Sequence, residues 1–333
     1  MSNRSSAFFS VVMPAYNEGA GIQKSIRTLA AVFDGLALDH EIVVVDDGSR
    51  DRTFELAAEM VDAGYKVRAI RFSRNFGKEA ALLAGLQHSA GDAVITIDAD
   101  LQHPPALIPT MIDAWRRGAK VVHAVKRDRG DESFLVKSRA RVINALLSSL
   151  GGIDVRNSSD FKLLDRAAVD VLARRLPENR RFYRGLADWI GFSQVTLEFD
   201  VAARETGQSG FSLRSLMALA VTAMVSFTSV PLRIVSFMGV LTFLLGTGVG
   251  IEALISWVRG VAVSGFLTII MTLLLIGSFI MISLGVIGEY IAKIYDEIKQ
   301  RPSYIVDRMH ECQVLPRRSG TVPSSSTREM VEL

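Results

Sequence analysis

Two aspartates one residue apart end an apolar run in the first third of the chain, within the segment DADLQ (98–102). The run AVITIDAD (93–100) predicts a strand. Alternate strand residues point the same way, so Asp98 and Asp100 can bind one cation and Gln102 can add an amide oxygen. Mg²⁺ and Mn²⁺ prefer such oxygen ligands and typically also bind substrate phosphates. The segment therefore predicts a divalent-cation site, with a solvated loop as the alternative.

Other kinds of nucleotide chemistry lack their motifs. No G-x-G-x-x-G follows a predicted strand, and Gly77-Lys78 lacks the glycine five residues earlier that a P-loop requires. The single Cys312 cannot form an internal disulfide, and the five histidines have no metal-ligand spacing. The net charge of +3 gives no electrostatic argument for nucleic acid as a partner. Hydride transfer, Walker-type hydrolysis, a zinc or disulfide framework and nucleic-acid binding are therefore not predicted.

The elements that must position the two aspartates alternate between short β-branched runs and amphipathic helical stretches. This rhythm, from Ser10 to about Phe199, predicts an α/β fold with a largely parallel sheet covered by helices. The predicted helices occupy residues 21–36, 53–63, 78–88 and 105–117. The predicted strands are SVVMP (10–14), EIVVVDD (41–47), KVRAIRF (66–72), AVITIDAD (93–100) and VVHAV (121–125).

Polar clusters follow the first four predicted strands, at residues 15–18, 46–51, 74–78 and 98–103. In open α/β sheets, ligands bind beyond the carboxyl ends of the strands. Because the carboxyl ends of parallel strands meet at one edge of the sheet, we expect these four clusters to form a single active-site rim.

The apolar residues are concentrated toward the C-terminus. Although 22% of the chain is charged, the charged side chains within residues 230–292 are only Arg233, Glu252, Arg259 and Glu289. A transmembrane helix needs about 20 predominantly apolar residues. Two stretches of this length predict a hairpin of transmembrane helices near 234–257 and 264–288. A buried helical pair in a soluble protein is the alternative.

These patterns divide the chain into a catalytic domain over residues 1–210, a juxtamembrane amphipathic helix over 211–231, the two transmembrane helices within 232–292 and a tail over 293–333. The helix at 211–231 could instead pack in a core. The end of the tail, SSSTREMVEL, is typical of disorder. The N-terminus lacks the features of a secretory signal, and basic residues follow the hairpin. We therefore expect the catalytic domain and the C-terminus on the cytoplasmic side of an inner membrane.

Several motifs together resemble glycosyltransferase family 2, and more narrowly its polyprenyl-phosphate glycosyltransferases, the group that includes bactoprenol glucosyltransferase and dolichyl-phosphate mannose synthase. The resemblance covers roughly residues 8–306. The motifs, in chain order, are SVVMPAYNE (10–18), EIVVVDDGSRDRT (41–53), RNFGKEAAL (74–82), DADLQHPP (98–105), SSDFKLLDR (158–166), RFYRGLADWIGF (181–192) and SFTSVPLR (226–233).

The resemblance implies a GT-A fold and an inverting transfer of sugar from a nucleotide diphosphate to a polyprenyl phosphate in the membrane. The Q-x-x-R-W motif of processive synthases is absent, so we expect one sugar per acceptor. UDP-glucose and undecaprenyl phosphate are the first choices of substrate. GDP-mannose, a UDP-N-acetylhexosamine and a UDP-aminopentose are alternative donors, because fold does not settle a substrate. A catalytically silent membrane partner and a small transporter are the alternatives from other functional classes.

The resemblance also implies which residues bind the nucleotide and the metal. Asp98, Asp100 and Gln102 would hold Mg²⁺ or Mn²⁺ against the leaving diphosphate. The carboxylates of Asp46 and Asp47 would accept hydrogen bonds from uracil or ribose, although a plain turn is the alternative for Asp47-Gly48. The full nucleotide-binding set is Pro14, Tyr16, Asn17, Glu18, Asp46, Asp47, Lys78, Asp98 and Ala99.

The catalytic set implied by the resemblance is Asp160, Asp100, Arg127 and Arg204. Asp160 matches the catalytic carboxylate near the sugar, where it could orient a hydroxyl or the acceptor, or act as a base. Arginine suits the lipid phosphate because its fork binds two oxygens, and Arg139, Arg180 and Arg181 are further candidates. Gly210 stands where the family often has a lysine, which leaves the contribution of that loop to the diphosphate open.

The first predicted transmembrane helix contains residues of the kinds that mediate contacts between membrane helices. Gly246 and Gly250 form G-x-x-x-G, a possible packing face. Glu252 is costly in lipid unless it is paired or lies near the headgroups. Homo-oligomerisation is the hypothesis that follows.

Overall fold

The computed structural model describes residues 4, 7–126, 158–176, 183–199, 230–260 and 265–312. Residue contacts divide the chain into two units. The first contains a β-sheet and its helices, and the second contains two long C-terminal helices. Arg127, Arg204 and residues 211–229 lie outside the described residues.

The predicted alternation of strands and helices is confirmed in the first unit. A short 3₁₀ turn, Pro105–Leu107, precedes the fourth helix. In chain order the elements are β1 (Phe9–Ala15), α1 (Ile22–Gly35), β2 (His40–Asp46), α2 (Thr53–Asp62), β3 (Val67–Phe72), α3 (Lys78–His88), β4 (Ala93–Thr96), α4 (Ile108–Arg116), β5 (Val121–Lys126), β6 (Ser158–Asp165), α5 (Arg166–Asp170), α6 (Tyr183–Trp189), β7 (Gln194–Phe199), then α7 (Val230–Val258) and α8 (Phe266–Ile298) of the second unit, and β8 (Val306–Glu311).

The strands described form one mixed sheet in the order β7-β5-β6-β4-β1-β2-β3-β8. Strands β4, β1, β2 and β3 are parallel, with Val11 paired to Ile42 on one side and to Ile95 on the other. Strands β6 and β8 run antiparallel to their neighbours. Every residue of β1 and β2 is buried, as expected for strands covered on both faces. The parallel strands therefore place their carboxyl ends at one edge.

Helices α1 and α3 cover the centre of this sheet. Ile22, Ile26, Leu29 and Phe33 recur at helical spacing on α1 and are fully buried. Helix α3 lies so close to β1 that a Cβ on Gly85 would lie 2.1 Å from Val12 Cγ1. This close packing fixes α3 against the sheet, so the position of its first residue is set by the core.

Two features of the sheet differ from the prediction. Strand β4 ends at Thr96, so Asp98 and Asp100 lie on the following turn and not on a strand. The argument from strand alternation was therefore wrong, and the turn sets the directions of the two aspartates. In addition, the tail expected after the hairpin contributes strand β8, which pairs with β3 at the sheet edge.

The described part of the second unit contains α7 and α8, which are in contact with each other. They contain candidate membrane spans at Ile234–Val258 and Thr272–Ile298, each with a mean hydropathy of 2.0 and an apolar stretch in which no residue is buried. At about 1.5 Å per residue, either span is longer than the roughly 30 Å hydrocarbon core of a bilayer. An exposed apolar surface along both helices argues against a buried pair in a soluble core.

Candidate active site

A cavity of about 320 Å³ opens at the carboxyl ends of β1, β2 and β4. It lies where the polar clusters were expected to form one rim. Most of the predicted nucleotide-binding residues line it, together with residues of the β3–α3 loop. The lining consists of Pro14, Ala15, Tyr16, Glu18, Asp47, Asn75, Gly77, Lys78, Ala81, Asp98, Ala99 and Asp100.

The turn after β2 joins the cavity wall to the β3–α3 loop. Asp47 Oδ1 accepts a hydrogen bond from Phe76 N at 2.6 Å, and Oδ2 accepts one from Gly77 N at 2.9 Å. Gly48 has φ +67°, and a Cβ there would lie 2.4 Å from the backbone carbon of Arg74. Burial raises the pKa of Asp47, although the two backbone hydrogen bonds oppose this shift. A glycine is therefore required for Asp47 to reach the loop.

Two other predicted residues fasten the turns that form the rim. Asp46 Oδ1 accepts a hydrogen bond from Ser49 N at 3.0 Å, and Ser49 Oγ accepts one from Asn17 N at 2.8 Å. Asn17 Oδ1 in turn accepts one from Arg50 N at 2.9 Å. Asp46 is 1% exposed and does not line the cavity, and burial raises its pKa. In this structure Asp46 and Asn17 thus hold the turns after β1 and β2 together.

The turn after β4 carries the predicted metal ligands. Asp100 Oδ1 accepts a hydrogen bond from Gln102 N at 3.1 Å, and Leu101 between them has φ 50°. Ser25 Oγ on α1 donates to Ala99 O at 2.6 Å. The turn is therefore held by its own backbone and by α1, and it presents Asp98 and Asp100 to the cavity.

Carboxylates accumulate around this turn. Burial raises the pKa of Glu18, and the negative charges of Asp100, Asp51 and Asp98 raise it further. Nδ1 of His103 is buried without a hydrogen-bond partner. Among the residues described, no three His, Cys, Asp or Glu side chains already have the geometry of a metal site. These carboxylate oxygens nevertheless repel one another, and a hard divalent cation bound among them would relieve that repulsion.

Lys78 joins the aspartate turn to β6. Its Nζ lies 2.6 Å from Asp98 Oδ1 and 2.6 Å from Asp160 Oδ2. Burial alone would lower the pKa of Lys78, but the negative charges of Asp160 and Asp98 outweigh burial and raise it. Since Lys78 is the first residue of α3, the packing of that helix positions the ammonium between the two carboxylates.

Asp160, on β6, forms ion pairs with two positively charged side chains. Besides Lys78, Arg184 on α6 contacts both of its oxygens, with Nε 2.7 Å from Oδ1 and Nη2 3.0 Å from Oδ2. Burial acts to raise the pKa of Asp160, but the fork of Arg184 and the charge of Lys78 hold it well below its usual range. The side chain therefore stays ionised at neutral pH and is a weak proton acceptor.

A layer of polar groups packs behind Asp160. Glu79 Oε2 accepts a hydrogen bond from Tyr183 N at 2.9 Å, and Thr96 Oγ1 contacts both Tyr183 OH and Asp160 O. Burial raises the pKa of Glu79 to about 7 and lowers that of Lys162 to about 8. This layer fixes the start of α6 and so the direction of Arg184.

Comparison with protein families shows which family the chain belongs to. The family described as Glycosyl transferase family 2 matches residues 10–176, which include every element that lines the cavity. A second family, the GtrB C-terminal hairpin, matches residues 230–294. The chain belongs to glycosyltransferase family 2. The resemblance and the GT-A-like fold predicted from the motifs are confirmed, and the protein is a glycosyltransferase.

This family 2 glycosyltransferase has similar relatives over most of its length. It is 37% identical over 306 residues to the uncharacterized glycosyltransferase YkcC of Bacillus subtilis, covering 91% of this chain and 94% of the relative. It is 35% identical to the bactoprenol glucosyl transferase of Shigella phage SfII, covering 90% and 98%. Among solved structures, glucosyl-3-phosphoglycerate synthase from Mycobacterium tuberculosis with Mn²⁺, UDP and phosphoglyceric acid has a TM-score of 0.48 at 23% identity, covering 67% of this chain and 78% of that one.

The hairpin match and the two apolar helices together indicate that the glycosyltransferase associates with a membrane. Gly246 lies on the face of α7 that forms a groove with Ser283 of α8. Glu252 is exposed on α7. Homo-oligomerisation stays a prediction.

Sequence reasoning missed two residues of the site. Arg184 lies in RFYRGLADWIGF and Glu79 in RNFGKEAAL, both motifs of the glycosyltransferase family, but neither received a role. Arg184 is one of two arginines in its motif, and its charge beside Tyr183 and Leu186, which are buried, is the signal that could have found it. Arg127 and Arg204, favoured for the acceptor phosphate, lie outside the described residues.

Proposed function

We propose that this glycosyltransferase transfers one sugar from a UDP-sugar, with UDP-glucose as the first choice, to undecaprenyl phosphate or a similar polyprenyl phosphate. The observation that carries the proposal is the contact of Lys78 with both Asp98 and Asp160, which joins the wall of the nucleotide-sized cavity to the predicted catalytic carboxylate. The relatives named bactoprenol glucosyl transferase support a lipid carrier as the acceptor.

The nucleotide would lie in the cavity between the turns that follow β1, β2 and β4. Tyr16 is 43% exposed at the rim, where an aromatic ring can cover a base or ribose. The Asp47 oxygens are occupied by the backbone of the β3–α3 loop, so Asp47 supports the wall and has only its remaining lone pairs for a nucleoside hydroxyl. Asn75 and Gly77 bring that loop to the same cavity.

Mg²⁺ or Mn²⁺ fits the carboxylates of the β4 turn. Asp98 and Asp100 would hold the ion, and Gln102 is close enough in sequence to add an oxygen. A bound divalent cation stabilises the negative charge of a leaving diphosphate. The Lys78 ammonium balances the charge of Asp98 at a distance of 2.6 Å, and it is well placed to contact a phosphate oxygen of the donor.

The acceptor needs little help with proton transfer. In the reaction, an oxygen of the lipid phosphate forms a bond to the anomeric carbon while the bond from that carbon to the diphosphate breaks, and the nucleoside diphosphate leaves. A phosphate monoester is already anionic at neutral pH, so no proton must be removed from the dianion. Positioning and charge stabilisation therefore dominate. An ionised Asp160, fixed by Arg184, suits the orientation of a sugar hydroxyl, and Arg127 and Arg204 remain proposed contacts of the phosphate.

We place the active site at the cytoplasmic leaflet. Two crossings by α7 and α8 would return the chain to the side from which it entered. The basic residues Lys299 and Arg301 follow the second span and Lys293 lies within its last two turns, whereas Arg259 is the charged residue between the spans. This distribution follows the positive-inside rule.

A transfer assay tests the proposal. Purified full-length protein would be incubated with undecaprenyl phosphate, Mn²⁺ or Mg²⁺ and a panel of radiolabelled UDP- and GDP-sugars. We expect label from one donor to enter the lipid phase, and the Asp100→Asn variant to lose this transfer. Asp113→Asn, which changes an exposed aspartate on α4, is the matched control. Nucleotide binding with no transfer from any donor would instead favour the silent membrane partner.

A further inference from the structure

The segment that follows the second long helix returns to the catalytic unit. Strand β8 pairs antiparallel with β3, and Arg68 Nε on β3 lies 2.9 Å from Glu311 Oε2. The Arg68 side chain is only 5% exposed, so this ion pair anchors one end of β8 inside the protein. At the other end, Ser73 N donates to Ile305 O at 3.0 Å.

Tyr304, next to this second anchor, contacts two elements at once. Its ring stacks on Phe72, the last residue of β3, with centroids 4.9 Å apart and an interplanar angle of 16°. Its hydroxyl donates to Gln87 Oε1 on α3 at 2.5 Å. Burial raises the pKa of Tyr304 to about 12, so the hydroxyl keeps its proton for this bond.

These two contacts bracket the β3–α3 loop, residues 73–77. Phe72 precedes the loop, and α3, which contains Gln87, begins directly after it at Lys78. Within the loop, Phe76 packs edge-on against Phe72 at 5.8 Å, and the N–H groups of Phe76 and Gly77 donate to Asp47. Asn75, Gly77 and Lys78 then line the cavity. Asp47 thus holds the loop directly, whereas Tyr304 holds the residue before it, Phe72, and the helix that follows it, at Gln87.

We propose that Tyr304 is a positioning residue for the donor site: its stack on Phe72 and its bond to Gln87 set the β3–α3 loop and thereby Lys78. The inference rests on the proposed function, because it assumes that the cavity binds the nucleotide. Five residues separate Ile298 at the end of α8 from Tyr304, so the element that sets the loop is the direct continuation of the membrane hairpin.

The test compares variants of the full-length protein in detergent micelles. The dissociation constant of UDP with Mn²⁺ and the KM and kcat for the UDP-sugar would be measured for each. For Tyr304→Leu we expect the dissociation constant and KM to rise about tenfold, with kcat changed less than about threefold, because a displaced loop weakens binding before it affects the reacting atoms. Tyr304→Phe, which keeps the stack, should recover most of this loss.

Two further variants separate positioning from folding. Gln87→Leu removes the partner of the hydroxyl without altering β8, together with the hydrogen bond from Gln87 Nε2 to Ala173 O, and should raise KM about threefold. Adding Tyr304→Phe to Gln87→Leu should raise KM no further, because the hydroxyl has already lost its partner. His310→Ala removes an exposed contact of β8 with Asp62, far along the strand from Phe72, and should leave KM unchanged. The thermal unfolding curve of each variant gives the fraction that is folded at the assay temperature.

An unchanged KM in Tyr304→Leu would overturn the inference, as would a loss confined to kcat that follows the folded fraction. Failure of the proposed function looks different. If the unaltered protein bound neither UDP nor GDP and transferred no sugar, the nucleotide site itself would be contradicted and the inference with it. If the unaltered protein is active and the variants of Tyr304 and Gln87 have the same KM and kcat, only the proposed role of Tyr304 is contradicted.

Discussion

Arg184 contacts both carboxylate oxygens of Asp160, with its Nε 2.7 Å and its Nη2 3.0 Å away. The two residues lie on α6 and β6 and are 24 positions apart in the chain. Two parallel hydrogen bonds from one guanidinium fix the plane of the carboxylate and also stabilise its negative charge. Arg184 therefore decides where the Asp160 oxygens point.

Replacing Arg184 should slow sugar transfer because the Asp160 carboxylate would lose its fixed orientation. Arg184→Lys keeps a positive charge but loses the fork, so we expect kcat to fall about tenfold, and Arg184→Gln to fall about a hundredfold. Steady-state transfer assays measure both variants. Arg116→Gln, which alters an exposed arginine on α4, is the control and should match the unaltered protein. Equal activity of Arg184→Gln and the control would show that the fork has no part in the reaction.

Asp160→Asn should separate binding from transfer. The amide cannot balance the charges of Lys78 and Arg184, and it offers one acceptor oxygen where the carboxylate has two. We expect nucleotide binding to persist, because Asp160 does not line the cavity, while transfer falls by orders of magnitude. Calorimetric binding of UDP and the lipid-transfer assay measure the two properties on one preparation. Near-normal turnover would remove Asp160 from the mechanism.

Removing divalent metal should abolish transfer, and adding Mn²⁺ or Mg²⁺ should restore it, because a cation relieves the repulsion among the carboxylates near the β4 turn. Electron paramagnetic resonance of Mn²⁺ gives a readout independent of activity. We expect bound Mn²⁺ in the unaltered protein and in Asp113→Asn, and much weaker binding in Asp98→Asn and Asp100→Asn. Full activity in the presence of a strong chelator would contradict the metal site.

Glu79 should make stability depend on pH. Burial raises its folded-state pKa from 4.5 to about 7. For a group whose pKa is raised on folding, the stabilising effect is fully present below the unfolded pKa and is lost as pH rises through the folded pKa. The melting temperature should therefore fall as pH rises from about 5 to about 7.5, and Glu79→Gln should flatten this fall. Glu59→Gln, at an exposed position on α2, should leave the slope as it is.

Gly48→Ala should destabilise the rim of the cavity. The residue has φ +67°, and its Cβ would meet the backbone of Arg74 at 2.4 Å. The matched control is Gly64→Ala, because Gly64 has φ +87° but no atom within 4 Å of its Cβ. The control should lose about 1 kcal/mol from backbone strain alone, whereas Gly48→Ala should lose more and should also bind UDP more weakly. Denaturant unfolding and calorimetry measure the two effects, and equal losses in both variants would argue against the loop contact.

Periodicity and local motifs predicted much of this molecule. The first five strands, four helices and the apolar hairpin are visible because burial on both faces leaves continuous β-branched runs, while helices leave an amphipathic period. Tyr16, Glu18, Asp47, Lys78, Asp98 and Asp100 were placed at one rim by the rule that the ends of parallel strands meet, and the structure brings them to one cavity.

Other features have no local signal. Strand β8 is short and half-exposed, and it forms only because β3 offers an unpaired edge. The direction of Asp98 depends on where β4 stops, and β4 pairs with both β1 and β6 only as far as Thr96.

The sequence by itself determined the family, the order of the elements and most of the residues that reach the rim, because these depend on local pattern and on the direction of parallel strands. Only the tertiary structure decided that Arg184 grips Asp160, that Lys78 bridges two carboxylates and that Tyr304 brackets the β3–α3 loop. Such contacts join positions that are distant in the chain. Their geometry arises from the packing of whole elements, which no local pattern encodes.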